Sequence, residues 1–551
     1  METREYESGR SKCPGVMRGI GAATRSTRKR GPSGDARRVP TSGRCFVARK
    51  SGRTLQTEKQ RASRNVSTRD GASVSLTKEW NSIDWSAAGA EVKRLQMRIA
   101  KAVEEGRWGR AKALQHILTH SFHAKALAVR RVTSNKGKKT PGVDGVVWKT
   151  AREKMEAVRS IEQRGYRAQP LRRVRIPKKN SRKKRPLSIP CMADRAAQAV
   201  HKMGLDPIAE TLADPHSYGF PRFRSCADAI AQLFALLAKR SSPCWILEAD
   251  IEGCFDRIDH AWLERFIPMK RHILRQWLKA GYIENGRMFP TEEGTPQGGI
   301  ASPVLANMTL DGLEATIRNA VGGQRVKGRW TKVHLVRFAD DFVVPSGSKE
   351  VLVEKVLPAI EGFLRERGLN LSKLKTRIVH ISEGFDFLSQ TLRKFGDKLI
   401  IRPAKAAVQS VLATVREQIR RMRSAPVKDL VGKLNPILRG WANYHRHIVS
   451  SRVFGHIDWE VSKMLWRWAK RRHRKKNGQW ILNRYWRVLP EATRFTAAWV
   501  EKSGKRYTLF LFRMSDLPIK RHVRIKGNAN PYSPSWQNYF TQRVAMKAVG
   551  G

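Results

Sequence analysis

Residues 336–344 place two adjacent carboxylates, Asp340 and Asp341, between short apolar runs. The apolar residues on either side predict two buried strands, with Ala339-Asp340-Asp341 as the turn between them. Two neighbouring carboxylates repel each other unless a cation neutralises them, and a hard divalent metal ion suits oxygen ligands. Because such a pair is also typical of an ordinary solvated turn, a third carboxylate in a matching context is needed.

Asp250 is that third carboxylate. The apolar run before it predicts a strand, Gly253 predicts a turn, and Asp259 is the expected N-cap of a helix. An acid at the end of a central strand can face the Asp340-Asp341 hairpin across a sheet. Three carboxylates around two Mg2+ ions suit in-line nucleotidyl transfer, because one ion lowers the pKa of the attacking hydroxyl and the other stabilises the leaving pyrophosphate.

Several further segments carry groups that nucleotide binding requires. Residues 294–303 form a loop dense in Gly and Pro that presents the Gln297 amide and runs into a helix. Residues 175–190 predict a basic hairpin whose tip could hold a triphosphate. A block at 217–226 lies between these two, and blocks at 371–376 and 384–388 follow the acidic pair.

In this order the blocks closely resemble the reverse transcriptases encoded by bacterial group II introns, the intron maturases. The likeness runs from about residue 85 to residue 540 and includes an upstream element at 140–145. The family's usual Tyr-Ala-Asp-Asp reads Phe338-Ala339-Asp340-Asp341 here, which keeps the ring under the primer terminus, so activity is expected to survive. Residues 220–224 read Phe-Pro-Arg-Phe-Arg in place of Phe-Arg-Pro-Gly-Arg, which alters the expected local turn.

The resemblance implies an α+β fold of the right-hand polymerase type. Fingers and palm with an antiparallel sheet are followed by an α-helical thumb, or maturase domain X, and a basic C-terminal DNA-binding region. The expected boundaries are 1–78 for a disordered basic segment, 79–150 for an N-terminal extension with a lid loop, 151–395 for fingers and palm, 396–490 for the thumb and 491–551 for the DNA-binding tail. Since no cysteine follows Cys254, an endonuclease domain with Cys and His ligands is expected to be absent.

The resemblance also implies roles for single residues of the palm. Asp250, Asp340 and Asp341 match the catalytic triad that binds two Mg2+ ions. Lys375 matches the palm lysine often proposed to protonate pyrophosphate. Phe255 matches the aromatic gate that excludes a ribose 2'-hydroxyl, which makes dNTP the expected substrate.

Further residues match contacts to the nucleotide and to RNA. Gln297 matches a residue that contacts the incoming nucleotide, and Lys178 and Arg185 match fingers residues on the triphosphate. In domain X, aromatic side chains at helical spacing are more often core than ligand contacts. Trp441, Tyr444 and Trp466 are therefore expected to pack, and the expected RNA-facing residues are Arg439, Arg446, Arg471, Arg472, Lys475 and Lys476.

Composition points independently to a polyanionic partner. The chain has 108 Lys and Arg against 47 Asp and Glu, a net charge of +61, which drives salt-dependent association with nucleic acid. Sixteen Trp residues interleaved with Arg suit stacking on structured RNA. No apolar run reaches the ~18 residues of a membrane span. The cysteines form no CxxC pair, so no structural zinc is expected.

The N-terminal 78 residues are rich in Arg, Ser, Gly and Thr and show no apolar periodicity, which predicts a disordered, RNA-attracting segment. An Arg-rich N terminus also resembles an organellar transit peptide. Glu2, Glu5 and Glu7 disfavour that interpretation, so a bacterial cytoplasmic location is expected.

The expected function is RNA-directed DNA synthesis by target-primed reverse transcription of the intron, combined with maturase activity in splicing and mobility. The expected partners are the parent intron RNA, a DNA target and primer, and dNTPs, with the protein a monomer or a dimer. One alternative is a stand-alone reverse transcriptase of phage defence or diversity generation, which the block at 434–445 and the basic tail disfavour. A splicing-only maturase is the other, and the intact acid triad disfavours it.

Overall fold

A computed structural model describes residues 75–161, 165–177, 184–322, 325–326, 329–330, 332–490, 492–501 and 503–549. The described chain begins with helices α1 (75–81), α2 (Trp85–Glu104), α3 (Trp108–His120), α4 (Phe122–Ser134) and α5 (Ala151–Ser160). On α2, Val92, Leu95, Ile99 and Val103 form a buried stripe at helical spacing.

Residues 75–78, assigned above to the disordered segment, are helical in the structure. The reason is packing, since Trp80 is buried and its ring lies edge-on to Trp85 at 5.0 Å. Leu76 packs against the same core. The remainder of the predicted disordered segment, residues 1–74, lies outside the described residues.

Fingers and palm alternate strands with helices. Their elements are β1 (Leu171–Pro177), β2 (Lys184–Ile189), α6 (Met192–Leu212), α7 (Cys226–Leu237), β3 (Trp245–Asp250), α8 (Cys254–Arg257), α9 (His260–Phe266), α10 (Arg271–Leu278), β4 (Tyr282–Glu284), β5 (Arg287–Phe289), α11 (Ser302–Leu310) and α12 (Leu313–Ala320). After these come β6 (Arg325–Val326), β7 (Arg329–Trp330), β8 (Val336–Phe338), β9 (Asp341–Ser346), α13 (Lys349–Val351), a π-helical turn (Leu352–Val356), α14 (Leu357–Arg365) and β10 (Arg377–His380).

The palm sheet has the order β10-β3-β9-β8, and every neighbouring pair in it is antiparallel, as predicted. The fingers sheet, in the order β2-β1-β4-β5, corrects the prediction because β1 and β4 run parallel. A parallel pair needs a long crossover, and the helices from α6 to α10 that separate β1 from β4 in the chain supply it.

The loop that links α4 to α5, which was predicted to be a lid, is held by a buried arginine, Arg195 of α6. Arg195 donates from Nη2 to the Thr140 carbonyl at 2.7 Å and from Nε to the Pro190 carbonyl at 2.8 Å. Gly142 packs closely against Cys191, since a methyl group added to Gly142 would lie 2.6 Å from the Cα atom of Cys191. The loop is therefore fixed at its base to the segment that precedes α6.

A small antiparallel sheet of β11 (Phe385–Phe387), β12 (Gln390–Phe395) and β13 (Lys398–Pro403) connects the palm to the thumb. The helices in the region predicted to be the thumb, a name kept for them below, are α15 (Lys405–Arg421), α16 (Val427–His445), α17 (Ser451–Arg472) and α18 (Gly478–Tyr485). Val411, Val415 and Ile419 form a buried stripe on α15. Trp441 and Tyr444 are buried as predicted.

The last part of the chain divides between the thumb and the palm. Strands β14 (Trp486–Val488), β15 (Thr493–Val500) and β16 (Arg506–Phe510) form a sheet whose Phe495 shares the thumb core, so the predicted boundary at 491 falls inside this sheet. Residues 517–549, called the C-terminal segment below, end in α19 (Gln537–Val549). Ile525 and Phe540 of this segment share a core with the palm residue Val343. Among the described residues no helix combines the length and the apolarity needed to cross a membrane.

Candidate active site

The palm sheet brings two of the three predicted carboxylates side by side. Asp250 ends β3, and in the antiparallel register its Cα partner is Asp341, the first residue of β9. The β8–β9 hairpin pairs Phe338 with Asp341, so Ala339 and Asp340 form its turn. Ala339 has a positive φ of 58°, which tightens that turn. The predicted apposition of Asp250 and the acidic hairpin therefore exists in the fold.

The three carboxylates hold more negative charge than the site compensates. Burial, a side-chain hydrogen bond with Asp250 and the charge of Asp340 together raise the pKa of Asp341 to about 8. Burial also raises the pKa of Asp340, and the charge of Asp250 contributes in the same direction. Asp341 is therefore the carboxyl of this cluster that most resists ionisation, which a nearby cation would reverse.

Lys375 supplies the nearest positive charge. Its Nζ donates to Asp250 Oδ2 at 2.6 Å, and the Ser372 amide donates to the Asp250 carbonyl at 2.8 Å. Burial lowers the pKa of Lys375, but the hydrogen bond and the charges of the triad outweigh burial and the net shift is upward. Lys375 is therefore a protonated ammonium beside the carboxylates, as a proton donor must be.

The donor set fits a hard divalent cation, because it consists of carboxylate oxygens alone. The raised pKa values of Asp340 and Asp341 agree with this, because a bound cation would stabilise the ionised carboxylates. In the described parts of the chain no three His, Cys, Asp or Glu side chains stand in a finished metal-binding arrangement. The carboxylates are close, but Asp250 is engaged with Lys375 and with Asp341.

A buried ion pair holds β8, the strand that leads into the acidic turn. Arg337 of β8 is fully buried and donates from Nη2 to Asp311 Oδ1 at 2.5 Å and from Nη1 to Asn307 Oδ1 at 3.3 Å. Removal of one partner of such a pair is destabilising, because the other charge is left buried without a counter-ion. Arg337 is not among the predicted site residues, although a charged residue inside an apolar strand is a visible signal in the sequence.

Gly219 lies directly against the same turn. A methyl group added to Gly219 would lie 2.2 Å from the amide nitrogen of Ala339. The Gly219 carbonyl accepts from Asn307 Nδ2 at 2.7 Å, and the Tyr218 amide donates to the Arg337 carbonyl at 2.8 Å. Only glycine permits this approach, so the 217–226 block is joined to the catalytic hairpin by backbone contacts.

The predicted gate and the Gly/Pro-dense loop are joined as well. Phe255 lies in α8, directly after the left-handed turn at Gly253, and is partly buried against the palm core. Its carbonyl accepts from the Thr295 amide at 2.6 Å, while the Gln297 carbonyl accepts from the Ser188 amide of β2 at 2.8 Å. The loop therefore connects the gate to the fingers.

The predicted triphosphate contacts are only partly described. Arg185 is exposed on β2, and its charge acts on Asp340 in the direction that lowers the carboxyl pKa. Lys178 lies outside the described residues.

The six predicted RNA-facing residues have different surroundings. Arg439, Arg471, Lys475 and Lys476 are exposed, and Lys476 lies over the Trp480 ring at 5.5 Å. Arg472 is exposed but donates to the carbonyls of Arg423 and Ala425, so it braces the α15–α16 connection. Arg446 is half exposed, and its carbonyl accepts from the Lys520 amide of the C-terminal segment at 2.9 Å.

Three family models match successive parts of the chain. The model described as reverse transcriptase (RNA-dependent DNA polymerase) matches residues 176–392, the N-terminal domain of reverse transcriptase matches 80–161, and the group II intron, maturase-specific domain matches 408–486. Protein YkfC of Escherichia coli K12 is 32% identical over 349 residues, which cover 56% of this chain and 88% of YkfC. The chain belongs to the group II intron-encoded reverse transcriptases.

Another relative of this family carries the same description in its name. The group II intron-encoded protein LtrA of Lactococcus lactis subsp. cremoris is 29% identical over 351 residues, which cover 52% of this chain and 58% of LtrA. The chain thus matches little more than half of the length of LtrA. A solved structure of telomerase from Candida albicans in complex with a fragment of telomeric RNA aligns with a TM-score of 0.33 at 12% identity, covering 57% of this chain and 63% of that chain. Membership in this family makes the protein an RNA-directed DNA polymerase with a maturase domain, and polymerases of this type depend on a divalent metal ion.

Proposed function

We propose that this group II intron-encoded reverse transcriptase copies its parent intron RNA into DNA at the carboxylate cluster and binds the same RNA through its thumb to promote splicing and mobility. The observation that carries the polymerase assignment is the cross-strand pairing of Asp250 with Asp341 beside Asp340. A DNA target would supply the primer, and dNTPs would be the substrates.

Asp250, Asp340 and Asp341 are the residues that would hold two Mg2+ ions. The ions would lower the pKa of the primer 3'-hydroxyl and neutralise charge on the transferred phosphate and the leaving pyrophosphate. The raised pKa values of Asp340 and Asp341 support this assignment, because carboxylates that resist ionisation in the free protein gain most from a cation.

Other residues would bind the nucleotide and move its proton. Lys375 would give a proton to the leaving pyrophosphate, which its raised pKa and its 2.6 Å hydrogen bond from Nζ to Asp250 Oδ2 support. Phe255 would exclude the 2'-hydroxyl of a ribonucleotide. Gln297 would contact the nucleotide from the loop that joins palm and fingers, and Arg185 would contact its triphosphate, together with Lys178.

The thumb supplies the proposed intron-binding surface. Arg439, Arg471, Lys475 and Lys476 are exposed there, and the aromatic residues of the same helices form the core beneath them. Exposed cationic side chains over a packed helical core are suited to binding the phosphates of folded RNA. The surface is separate in sequence from the acid triad, so the two activities should respond to different substitutions.

The replacement Asp340→Ala tests the polymerase assignment. Primer extension on an RNA template with Mg2+ should fall by at least ~100-fold, because transition-state charge loses a preorganised ligand. Binding of intron RNA, measured by filter retention on the same preparation, should stay near the wild-type value. Asp397→Ala is the control, since the Asp397 side chain is 69% exposed and lies in the strand connection before the thumb. Extension by Asp340→Ala at the rate of Asp397→Ala would contradict the assignment.

A further inference from the structure

Phe220 adopts a backbone conformation that a bulky residue rarely tolerates. Its φ is 71°, in the left-handed region, and its side chain is 45% exposed. Such a conformation costs free energy in any residue with a Cβ atom, and it persists only where the surroundings require it. An exposed phenylalanine held in this way is a candidate for a functional role.

The backbone before Phe220 is fastened to the catalytic hairpin. The Tyr218 amide donates to the Arg337 carbonyl, the Arg337 amide donates to the His216 carbonyl at 3.0 Å, and Gly219 lies against Ala339. Phe220 is the first residue after this junction. The position of its ring is therefore set relative to the Asp340 turn.

The ring of Phe220 contacts the proposed gate. The centroids of Phe220 and Phe255 are 6.2 Å apart and their planes meet at 80°, an edge-to-face arrangement. The Phe255 backbone is held by its bond from Thr295, but its ring is only partly buried against the palm core. Phe220 therefore gives the Phe255 ring an aromatic neighbour on the side of the 217–226 block.

We propose that Phe220 is a positioning residue for sugar discrimination. Its ring holds the Phe255 ring in the orientation that leaves no room for the 2'-hydroxyl of an incoming ribonucleoside triphosphate. The inference rests on the proposed role of Phe255, and it adds a second residue, on a separate segment of the chain, that sets the preference for 2'-deoxynucleotides.

Phe223 is a matched control in the same loop. It also has a positive φ, of 67°, and is 38% exposed. Its ring, however, lies 5.0 Å from Phe540 of the C-terminal segment. A change at Phe223 removes an aromatic ring from the same kind of backbone, but the ring it removes is one that packs on α19.

The experiment measures single-nucleotide incorporation on a primed RNA template with dCTP and with CTP. The selectivity is the kcat/KM for dCTP divided by the kcat/KM for CTP. It is measured for the wild type and for Phe220→Ala, Phe220→Gly, Phe220→Tyr, Phe223→Ala and Phe255→Ala. We expect the selectivity to fall about threefold to tenfold in Phe220→Ala and Phe220→Gly, the range that one aromatic contact provides. The fall should come from a higher kcat/KM for CTP. Phe220→Tyr keeps the ring and should keep the selectivity, and Phe223→Ala should match the wild type.

The variants separate failure of the inference from failure of the proposed gate. If Phe255→Ala lowers the selectivity and the two Phe220 truncations do not, the role of Phe220 is wrong and the gate stands. If Phe255→Ala leaves the selectivity unchanged, the gate is wrong, and the role of Phe220 fails with it. An equal loss in Phe223→Ala would overturn the inference too, because selectivity would then follow the integrity of the loop and not contact with Phe255.

Discussion

Asp228 attaches the C-terminal segment to the palm, and its replacement by asparagine should loosen that attachment. The carboxylate is fully buried in the first turn of α7. Its Oδ1 accepts from His522 Nε2 at 2.9 Å, from the Ile525 amide at 2.7 Å and from Arg543 Nη2 at 2.7 Å. An asparagine side chain at this position would have the same shape but would lack the charge that these donors share.

Two physical quantities set the size of the loss. Burial raises the pKa of Asp228, but the bonds from His522 and Ser225 and the charge of Arg543 outweigh it and lower the pKa from 3.8 to about 2. A shift of that size corresponds to about 2 kcal/mol of stability. Leaving the buried Arg543 guanidinium without its counter-ion costs about 3–5 kcal/mol. We expect the attachment of the segment to weaken by about 3 kcal/mol.

Hydrogen exchange measures this loss directly, because it reports local opening of the segment. A weakening of about 3 kcal/mol should speed exchange of the α19 amides about 100-fold at neutral pH. Asp397→Asn is the control, since this carboxylate is 69% exposed and lies 3.7 Å from Arg240. Such a surface pair contributes about 0–1 kcal/mol. If Asp228→Asn exchanged no faster than the control, apolar packing alone would hold the segment and the reasoning from the buried charge would be refuted.

Comparison of the wild type with Asp228→Asn at different pH values gives a second test of the buried charge. Because the pKa of Asp228 is lower in the folded protein than in the unfolded chain, its contribution is present above pH 3.8 and is lost as the pH falls toward 2. The difference in exchange between the wild type and Asp228→Asn should therefore persist from pH 7 to about pH 4 and be lost below that. A difference that shrank already between pH 7 and pH 5 would assign the effect to another group.

Two further predictions concern the catalytic turn and the thumb. Gly219→Ala should lower primer extension by at least ~100-fold and leave RNA binding unchanged, because the added methyl group would displace the Ala339 backbone and with it Asp340. The control is Gly362→Ala on α14, where a methyl group meets nothing within 4 Å, and this variant should extend normally. Neutralising three exposed thumb charges should reduce the salt dependence of intron-RNA binding, with a log–log slope smaller by about 2–3, and lower protein-assisted splicing, while extension on a generic primed template continues. Arg472 is left intact because it braces the thumb, and the substitutions are Arg471→Gln, Lys475→Gln and Lys476→Gln. Loss of extension and splicing together in the thumb variant would show that this surface grips the polymerase substrate.

Local sequence determined the catalytic elements of this protein. The apolar strands that flank Asp340 and Asp341, the turn at Gly253 and the helical stripe of α15 each depend on residues only a few positions apart. The Asp259 cap is of the same kind, and its carboxylate accepts from the Trp262 amide at 2.6 Å as an N-cap should. The order of the motifs then identified the family, and the family implied the triad and the gate.

Tertiary structure alone decided how these elements are held together. Asp228 meets residues 294 to 315 positions further along the chain, and no periodicity or turn signal encodes such a pairing. The same is true of Arg446, whose carbonyl accepts from the Lys520 amide, and of Phe220, whose contact with Phe255 depends on the backbone junction at Gly219. Turns and helices follow from steric and hydrogen-bonding preferences within one stretch of chain. These contacts, in contrast, join stretches that are far apart in the sequence, and they form only when the whole chain packs into one core.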